Sequence, residues 1–284
     1  MDIFTCKPPN RADGGFFRQF LMLAWITFAP AFVAAQQPTE DEENFIVPVR
    51  PSVSESARIQ KKGVLQIETG ADFDFDSPDF RNGQTAPLGV YYAVNKRLRL
   101  DFEFETIASQ KNRMENERET GIGDVNLGFK FVARDQPKER LAAAFSYSVK
   151  LPTADENKSL GTGRVDHNLR LIFNRTYGKN DFIVNVSYLN VGRAQSDKRA
   201  SGAQVILRYD RELTKKFGVI TEYFGNTVDE DQPRGLYILG ALTYQPNKRL
   251  RFDVGARPGF GRNAPNFNFF FGLSFGAADF SAND

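Results

Sequence analysis

The side chains that most often perform catalysis are almost absent from this chain of 284 residues. His167 is the single histidine and Cys6 the single cysteine, so the chain offers neither a histidine-based metal cluster nor an internal disulfide. A serine hydrolase needs a serine near its histidine, and the residue two positions on from His167 is Leu169. We therefore predict no catalytic residue, no metal and no cofactor.

Charged residues are the informative group, because they alternate with apolar residues along short segments. Residues 97–105, for example, have the sequence RLRLDFEFE. Successive side chains of a strand point to opposite faces, so such a segment has one charged face and one apolar face. Charges gathered on one side of a sheet could select among ions and small molecules, or could pair with one another across neighbouring strands. The predicted set comprises Arg97, Arg99, Asp101, Glu103, Glu105, Asp124, Lys130, Arg170, Arg208, Asp210, Glu222, Arg251, Asp253 and Arg257.

Twelve such segments follow one another, and each ends at turn residues. They are residues 64–75, 88–94, 97–105, 123–133, 141–151, 165–175, 182–190, 203–213, 217–225, 236–244, 250–258 and 267–275. Their apolar register carries no Lys, Arg, Asp or Glu, as expected of a face in lipid, where Arg or Lys costs about 2–4 kcal/mol at mid-bilayer. A soluble barrel of twelve long strands would be too wide for side chains alone to fill.

The connections between segments alternate between short and long. Short turns on one side and longer loops on the other are typical of outer-membrane barrels. The sequence therefore predicts an all-β, antiparallel up-and-down barrel of about twelve strands that closes on itself and leaves no edge in lipid. In the ninth and tenth segments apolar residues occur on both faces. There we expect Ile220, Phe224, Leu236, Ile238 and Leu242 to face inward, unless the register slips. Ile220, Phe224 and Ile238 then form either an apolar strip for a hydrophobic substrate or packing against an inserted loop or the N-terminal segment.

The N-terminus has the layout of an export signal. Lys7, Arg11 and Arg18 precede an apolar run at 20–32, and small residues follow at 33–35. We predict a cleaved signal peptide at 1–35, a flexible periplasmic lead-in at 36–62, a barrel at 63–276 and a C-terminal tail at 277–284. The predicted location is the outer membrane of a Gram-negative bacterium.

Five short motifs resemble the outer-membrane transporter-like family named for the meta pathway of phenol degradation. They are GIGD at 121–124, KLPT at 150–153, GTG at 161–163 with Asp166, NVG at 190–192 and EYF at 222–224. Their order and spacing carry the resemblance, which spans about residues 65–275. It implies a barrel that passes small, often aromatic or hydrophobic, compounds, and it implies no catalytic residues.

Three functions are compatible with this barrel. A channel or transporter for small molecules is favoured over a structural or surface-interaction barrel, and over a lipid-modifying enzyme with His167 as its base. The expected partners are outer-membrane lipid, lipopolysaccharide and a small-molecule substrate. The net charge of +2 argues against nucleic acid. The sequence leaves the oligomeric state open.

Overall fold

The computed structural model describes residues 44–77, 80–113, 116–135, 141–194, 196–228, 236–260 and 266–283. The predicted signal peptide and the first part of the predicted lead-in lie outside these residues. Within them, no helix is both long and apolar enough to span a bilayer.

Antiparallel strands form one closed sheet. Apart from one short strand, each strand pairs with its neighbours in the chain, and the last strand pairs with the first, so that Val64 lies opposite Asp279. The strands are β1 (Val64–Phe75), β2 (Phe80–Ala93), β3 (Leu98–Asn112), β4 (Arg118–Gly121), β5 (Val125–Arg134), β6 (Ala142–Leu151), β7 (Asp166–Tyr177), β8 (Asn180–Gly192), β9 (Arg199–Glu212), β10 (Phe217–Asn226), β11 (Leu236–Asn247), β12 (Leu250–Phe260) and β13 (Phe267–Asp279). Two short 3-10 helices lie at Glu156–Lys158 and Phe280–Asn283.

The prediction of a twelve-stranded antiparallel barrel is confirmed. β4 is a short extra strand that pairs with residues 108–111 of β3. Residues 98–104 of β3 pair with β5 instead. The remaining twelve strands close the barrel. One side of the barrel carries the short hairpin turns, the start of β1 and the end of β13. We call this side the turn end and the opposite side the loop end. In outer-membrane barrels the turn end faces the periplasm.

Two strands are longer than the sequence predicted. β2 begins at Phe80 rather than at residue 88, and β3 continues to Asn112 rather than to residue 105. Polar residues dominate both extensions, and no apolar face distinguishes them from a loop. The predicted tail is also part of the fold, because β13 continues to Asp279 and Lys61 forms an ion pair with Asp279 at 2.8 Å.

The outer surface is apolar, as expected for contact with lipid. Its exposed side chains include Leu100, Leu127, Leu171, Val186 and Phe271, each more than 39% exposed. Arg175 is a correction to the expectation of a charge-free face. It is exposed between Phe173 and Tyr177, the last residue of β7 at the turn end, and its guanidinium lies over the ring of Tyr177. A charge at this depth can extend to the membrane surface.

The register of β11 is a second correction. Glu222 lies inside the barrel and pairs with Leu239, and Ile220 pairs with Ala241. Leu239 and Ala241 are therefore the inward residues of β11. Leu242 is 57% exposed, and Leu236 and Ile238 share its outward parity, so the prediction that these three face inward is wrong. Apolar residues on both faces of the segment hid the correct register.

Candidate lumen site

Residues 44–62 lie inside the barrel and do not form a flexible lead-in; we call them the plug. The base of the plug is closed at the turn end, where the Lys61 amide donates to the carbonyl of Asn44 at 2.9 Å. From there the chain rises along β1, crosses the lumen towards β10 and returns past β8 and β7. Ser54 and Gln60 are almost completely buried.

Four wall side chains accept backbone N–H groups of the plug. On β1, Gln66 accepts from Val47, and Glu68 accepts from both Val49 and Arg50, all at 2.8 Å. Across the lumen, Glu222 of β10 accepts from Val53 at 3.0 Å and Ser54 at 3.1 Å, and Asn185 of β8 accepts from Glu55 at 2.7 Å. The plug contains no regular secondary structure, so these side chains supply the partners that its buried backbone requires.

Glu55 anchors the middle of the plug. Its carboxylate lies 2.9 Å from Arg99, 3.3 Å from Arg170 and 3.4 Å from Lys130, and it accepts from the Ser146 hydroxyl at 3.0 Å. We call Glu55, Arg99, Lys130 and Arg170 the Glu55 cluster. Burial by itself would raise the pKa of Glu55, but the three cations outweigh it and lower the pKa to about 2. Glu55 is therefore ionised at neutral pH.

Arg50 occupies the other side of the lumen. Its guanidinium lies 3.4 Å from Asp72 and 3.5 Å from Asp253, and it donates to the Phe271 carbonyl at 3.1 Å. The guanidinium rests on Gly70 and Gly272, where an added Cβ would come within 2.6 Å and 2.4 Å of it. These two glycines leave the space that Arg50 fills.

The descending half of the plug combines polar and apolar contacts. Arg58 forms an ion pair with Asp181 at 2.8 Å, and the Ser56 hydroxyl donates to Asn174 at 2.7 Å. Between them, Ala57 is 1% exposed and packs in a buried cluster with Val132, Ala142, Ala144 and Ile172. This segment of the plug therefore fits the wall by shape as well as by charge.

Two of the cavities formed by the described residues lie beside the plug. One, of about 280 Å³, lies on the loop side of Glu55 and is lined by Ser52, Asp101, Glu103 and Asn168, among others. The other, of about 220 Å³, lies at the turn end and is lined by Arg58, Asp210 and Arg251, among others. Both cavities have mainly polar walls, and plug residues line each of them.

Most of the charges predicted for the lumen have defined partners there. Asp101 accepts from Arg99 at 2.6 Å, and Asp210 accepts from Arg208 at 2.6 Å. Glu103 accepts from the Tyr91 hydroxyl at 3.0 Å, and Asp124 pairs with Lys150 at 2.9 Å. Glu222 and Asp253 bind the plug, as described above, and Arg257 lies close enough to Asp74 to attract its carboxylate. Glu105 lies on the loop side, where an added Cβ on Gly123 would touch it.

Arg97 does not belong to this set. It lies in the turn before β3 and is exposed at the turn end, so its predicted place on the lumen wall is wrong. Arg97 is two residues before Arg99, so the alternation of a strand would place both on the inner face. The strand begins only at Leu98, however, and the alternation does not apply to Arg97.

The apolar inward residues are packed rather than open to a substrate. Ile220 and Leu239 form a buried cluster with Ala241 and Phe270. The ring of Phe224 stacks on that of Tyr237 at 4.8 Å. Ile220 and Phe224 do face inward, as predicted, but each is at most 6% exposed. The structure therefore favours packing over an open apolar strip, and the packing partners are other wall residues rather than an inserted segment.

His167 contacts a tyrosine on the outer face. Its Nδ1 lies 2.8 Å from the Tyr147 hydroxyl, and the two rings are stacked at 6.2 Å. This agrees with the interpretation of His167 as an interfacial residue. The part of the chain that the structure describes contains no group of three or more His, Cys, Asp or Glu residues that could hold a metal ion.

Sequence reasoning missed the plug and several wall residues that hold it. Asn174, Asn185 and Asp181 have inward parity on β7 and β8, which a systematic search for polar residues on the charged face would have found. No comparable signal marks Arg50, Glu55 or Arg58, because residues 44–62 have no period and their partners are distant in the sequence.

Two solved structures have a similar fold at low sequence identity. An outer membrane channel from Pseudomonas putida F1 is 14% identical, with a TM-score of 0.59 over 80% of this chain and 99% of that chain. The NanC porin is 10% identical, with a TM-score of 0.55 over 74% of this chain and 98% of that chain. No curated protein sequence matches the chain.

These likenesses confirm the fold of an outer-membrane barrel, and a sequence-family model defines the relationship more closely. That model matches residues 49–276, a range that includes most of the plug as well as the barrel. The chain therefore belongs to the family described as "Putative MetA-pathway of phenol degradation".

Proposed function

We propose that this protein is an outer-membrane channel for small molecules and that the plug, residues 44–62, closes it in the structure described here. The observation that carries this proposal is the position of the plug. It occupies the lumen of a barrel with a lipid-facing outer surface, and it is held by side chains rather than by strand pairing. A segment held in this way can leave without breaking the barrel's own hydrogen bonds.

The strength of these contacts supports a channel that is closed most of the time. Twelve strands enclose more space than the small eight-stranded barrels, whose interiors side chains can fill. Here the plug supplies the missing volume, and its ion pairs with Asp181, with Asp72 and with the three cations around Glu55 neutralise charges that would otherwise line an open pore. Passage then requires displacement of at least part of the plug.

The lining of the cavities bears on the substrate. The family resemblance suggested hydrophobic or aromatic compounds, but the cavities beside the plug present carboxylates, arginines, amides and hydroxyls. The apolar inward residues are covered. These walls favour small molecules that carry polar or charged groups, with or without an aromatic ring. A structural barrel without transport remains the second candidate, and a lipid-modifying enzyme is not supported by the surroundings of His167.

The test is single-channel conductance in a planar bilayer. The mature chain, beginning at residue 36, is compared with a truncated chain that begins at residue 61 and lacks most of the plug. We expect brief or rare openings from the mature chain, and long openings of severalfold larger conductance from the truncated chain, because the lumen is then free. Migration as a compact, heat-modifiable band on a gel controls for folding in both.

Two results would count against the proposal. If the truncated chain folds and conducts no better than the mature chain, the plug does not close the barrel. If neither chain conducts, the structural barrel becomes the better account. The substrate class is then tested with pairs of compounds that differ only in a charged group. Stronger block of the conductance by the charged member favours polar substrates over purely hydrophobic ones.

A further inference from the structure

The cavity at the turn end carries more positive charge than its carboxylates neutralise. Its walls include Lys179, Lys215, Lys216, Arg211, Arg58 and Arg251, but only three carboxylates, those of Asp181, Asp210 and Glu212. Two of the three are already bound, since Asp181 pairs with Arg58 at 2.8 Å and Asp210 pairs with Arg208 at 2.6 Å. The lysines and Glu212 are exposed at the rim, where solvent screens them.

Unlike the exposed lysines at the rim, Arg251 is partly buried, and it has no hydrogen-bond or ion-pair partner among the described residues. Its Nε is buried without a hydrogen bond, and its side chain forms no ion pair with any residue in the described ranges. Nη1 of the neighbouring Arg208 is also buried without a partner. Arg208 repels the charge of Arg251, and Asp210, Glu68 and Asp253 attract it without making contact. Buried N–H groups of a guanidinium are costly unless an acceptor binds them.

The chemistry of the missing acceptor follows from these groups. A guanidinium presents a planar fork of N–H donors that matches the two oxygens of a carboxylate. The cavity, of about 220 Å³, admits only a small molecule, and Thr243 places a hydroxyl group in the same wall as Arg251. We propose that the turn-end cavity binds a small organic carboxylate and that Arg251 is the residue that holds the carboxylate group.

This inference deepens the proposed function, because it names a substrate class and rests on the channel for its biological meaning. Binding itself can be measured without conduction. If the protein fails to conduct in a bilayer but still binds a carboxylate through Arg251, the channel is wrong and the site stands. If it conducts and does not bind, the channel stands and the site is wrong.

The experiment is isothermal titration calorimetry on the full mature chain, refolded in detergent, in a buffer free of carboxylate and phosphate. The probes are benzoate and benzamide, which have nearly the same shape and differ in charge. We expect benzoate to bind and benzamide to bind roughly 30-fold more weakly or not at all, as for the loss of one partner of a charge pair. Both probes are titrated into the wild-type protein, so this comparison does not depend on whether a variant folds.

Variants then identify the residue. Arg251→Gln should weaken benzoate by a similar factor, and Arg251→Lys, which keeps the charge but loses the fork, should give an intermediate affinity. Arg97→Gln is the matched control, because Arg97 is an exposed arginine at the same end and does not line the cavity. Equal binding of benzoate and benzamide, no binding of benzoate, or full affinity in Arg251→Gln would each overturn the proposal.

Discussion

Glu55→Gln is expected to release the plug. The substitution keeps the shape of the side chain and removes its charge, so that Arg99, Lys130 and Arg170 are left buried around a neutral group. Breaking a buried ion pair by removing one partner costs about 3–5 kcal/mol. If the substitution destabilises the closed state by about 3 kcal/mol relative to the open state, the ratio of open to closed channels rises roughly 100-fold.

The measurement for Glu55→Gln is open probability in single-channel recordings. Glu117→Gln is the matched control, because it makes the same change of charge at an exposed carboxylate outside the lumen. The control should leave the open probability unchanged. An unchanged open probability in Glu55→Gln, in a protein that migrates as a folded barrel, would mean that the Glu55 cluster does not hold the channel closed.

Ala57→Trp is expected to displace the same segment by shape instead of charge. The methyl group of Ala57 is 1% exposed and lies against Val132, Ala144 and Ile172. An indole has no room there, and overpacking a well-filled site costs on the order of 1–3 kcal/mol. The plug can relieve this cost by leaving the wall, because no strand hydrogen bond ties it to the barrel.

Trypsin provides the measurement for Ala57→Trp, since the bond after Arg58 becomes accessible when the plug moves away. We expect cleavage at the Arg58–Ile59 bond to be at least several times faster than in the wild type, with the barrel itself resistant. Ala194→Trp, at an exposed position on a loop, is the control and should cleave at the wild-type rate. Equal rates in all three proteins would contradict tight packing of Ala57.

The barrel could be predicted because the alternation that defines each strand lies within a short segment of the sequence. A strand that separates lipid from a polar lumen must alternate, and twelve segments do so over enough residues for their number and order to be counted. The register failed only where the alternation fails, in β11, where Leu236, Ile238 and Leu242 could be assigned to either face. The extensions of β2 and β3 were missed for the same reason, since neither extension has an apolar face.

The plug could not be predicted because its contacts join distant parts of the chain. The cations around the Glu55 carboxylate lie 44 to 115 positions away in the sequence, and no periodicity in residues 44–62 points to them. Its polar and proline-rich composition is shared with flexible linkers. The alternation assigns the charges to one face of the sheet, but the cation that each carboxylate contacts depends on the path of the plug. Hence the sequence could assign three cations to the lumen face, Arg99, Lys130 and Arg170, but it could not show that all three bind the carboxylate of Glu55.

The central claim, that residues 44–62 occupy the lumen, is tested most directly by the accessibility of a single thiol. Cys6 is the single cysteine of the sequence, so a chain that begins at residue 36 contains none. Ser54→Cys therefore places one thiol at a position that is 0% exposed, and Asp197→Cys places one on a loop where the side chain is fully exposed. A charged maleimide should modify the folded Ser54→Cys barrel far more slowly than Asp197→Cys, and Glu55→Gln should restore fast labelling. Labelling of Ser54→Cys as fast as that of Asp197→Cys, in a folded barrel with Glu55 intact, would contradict the plugged lumen.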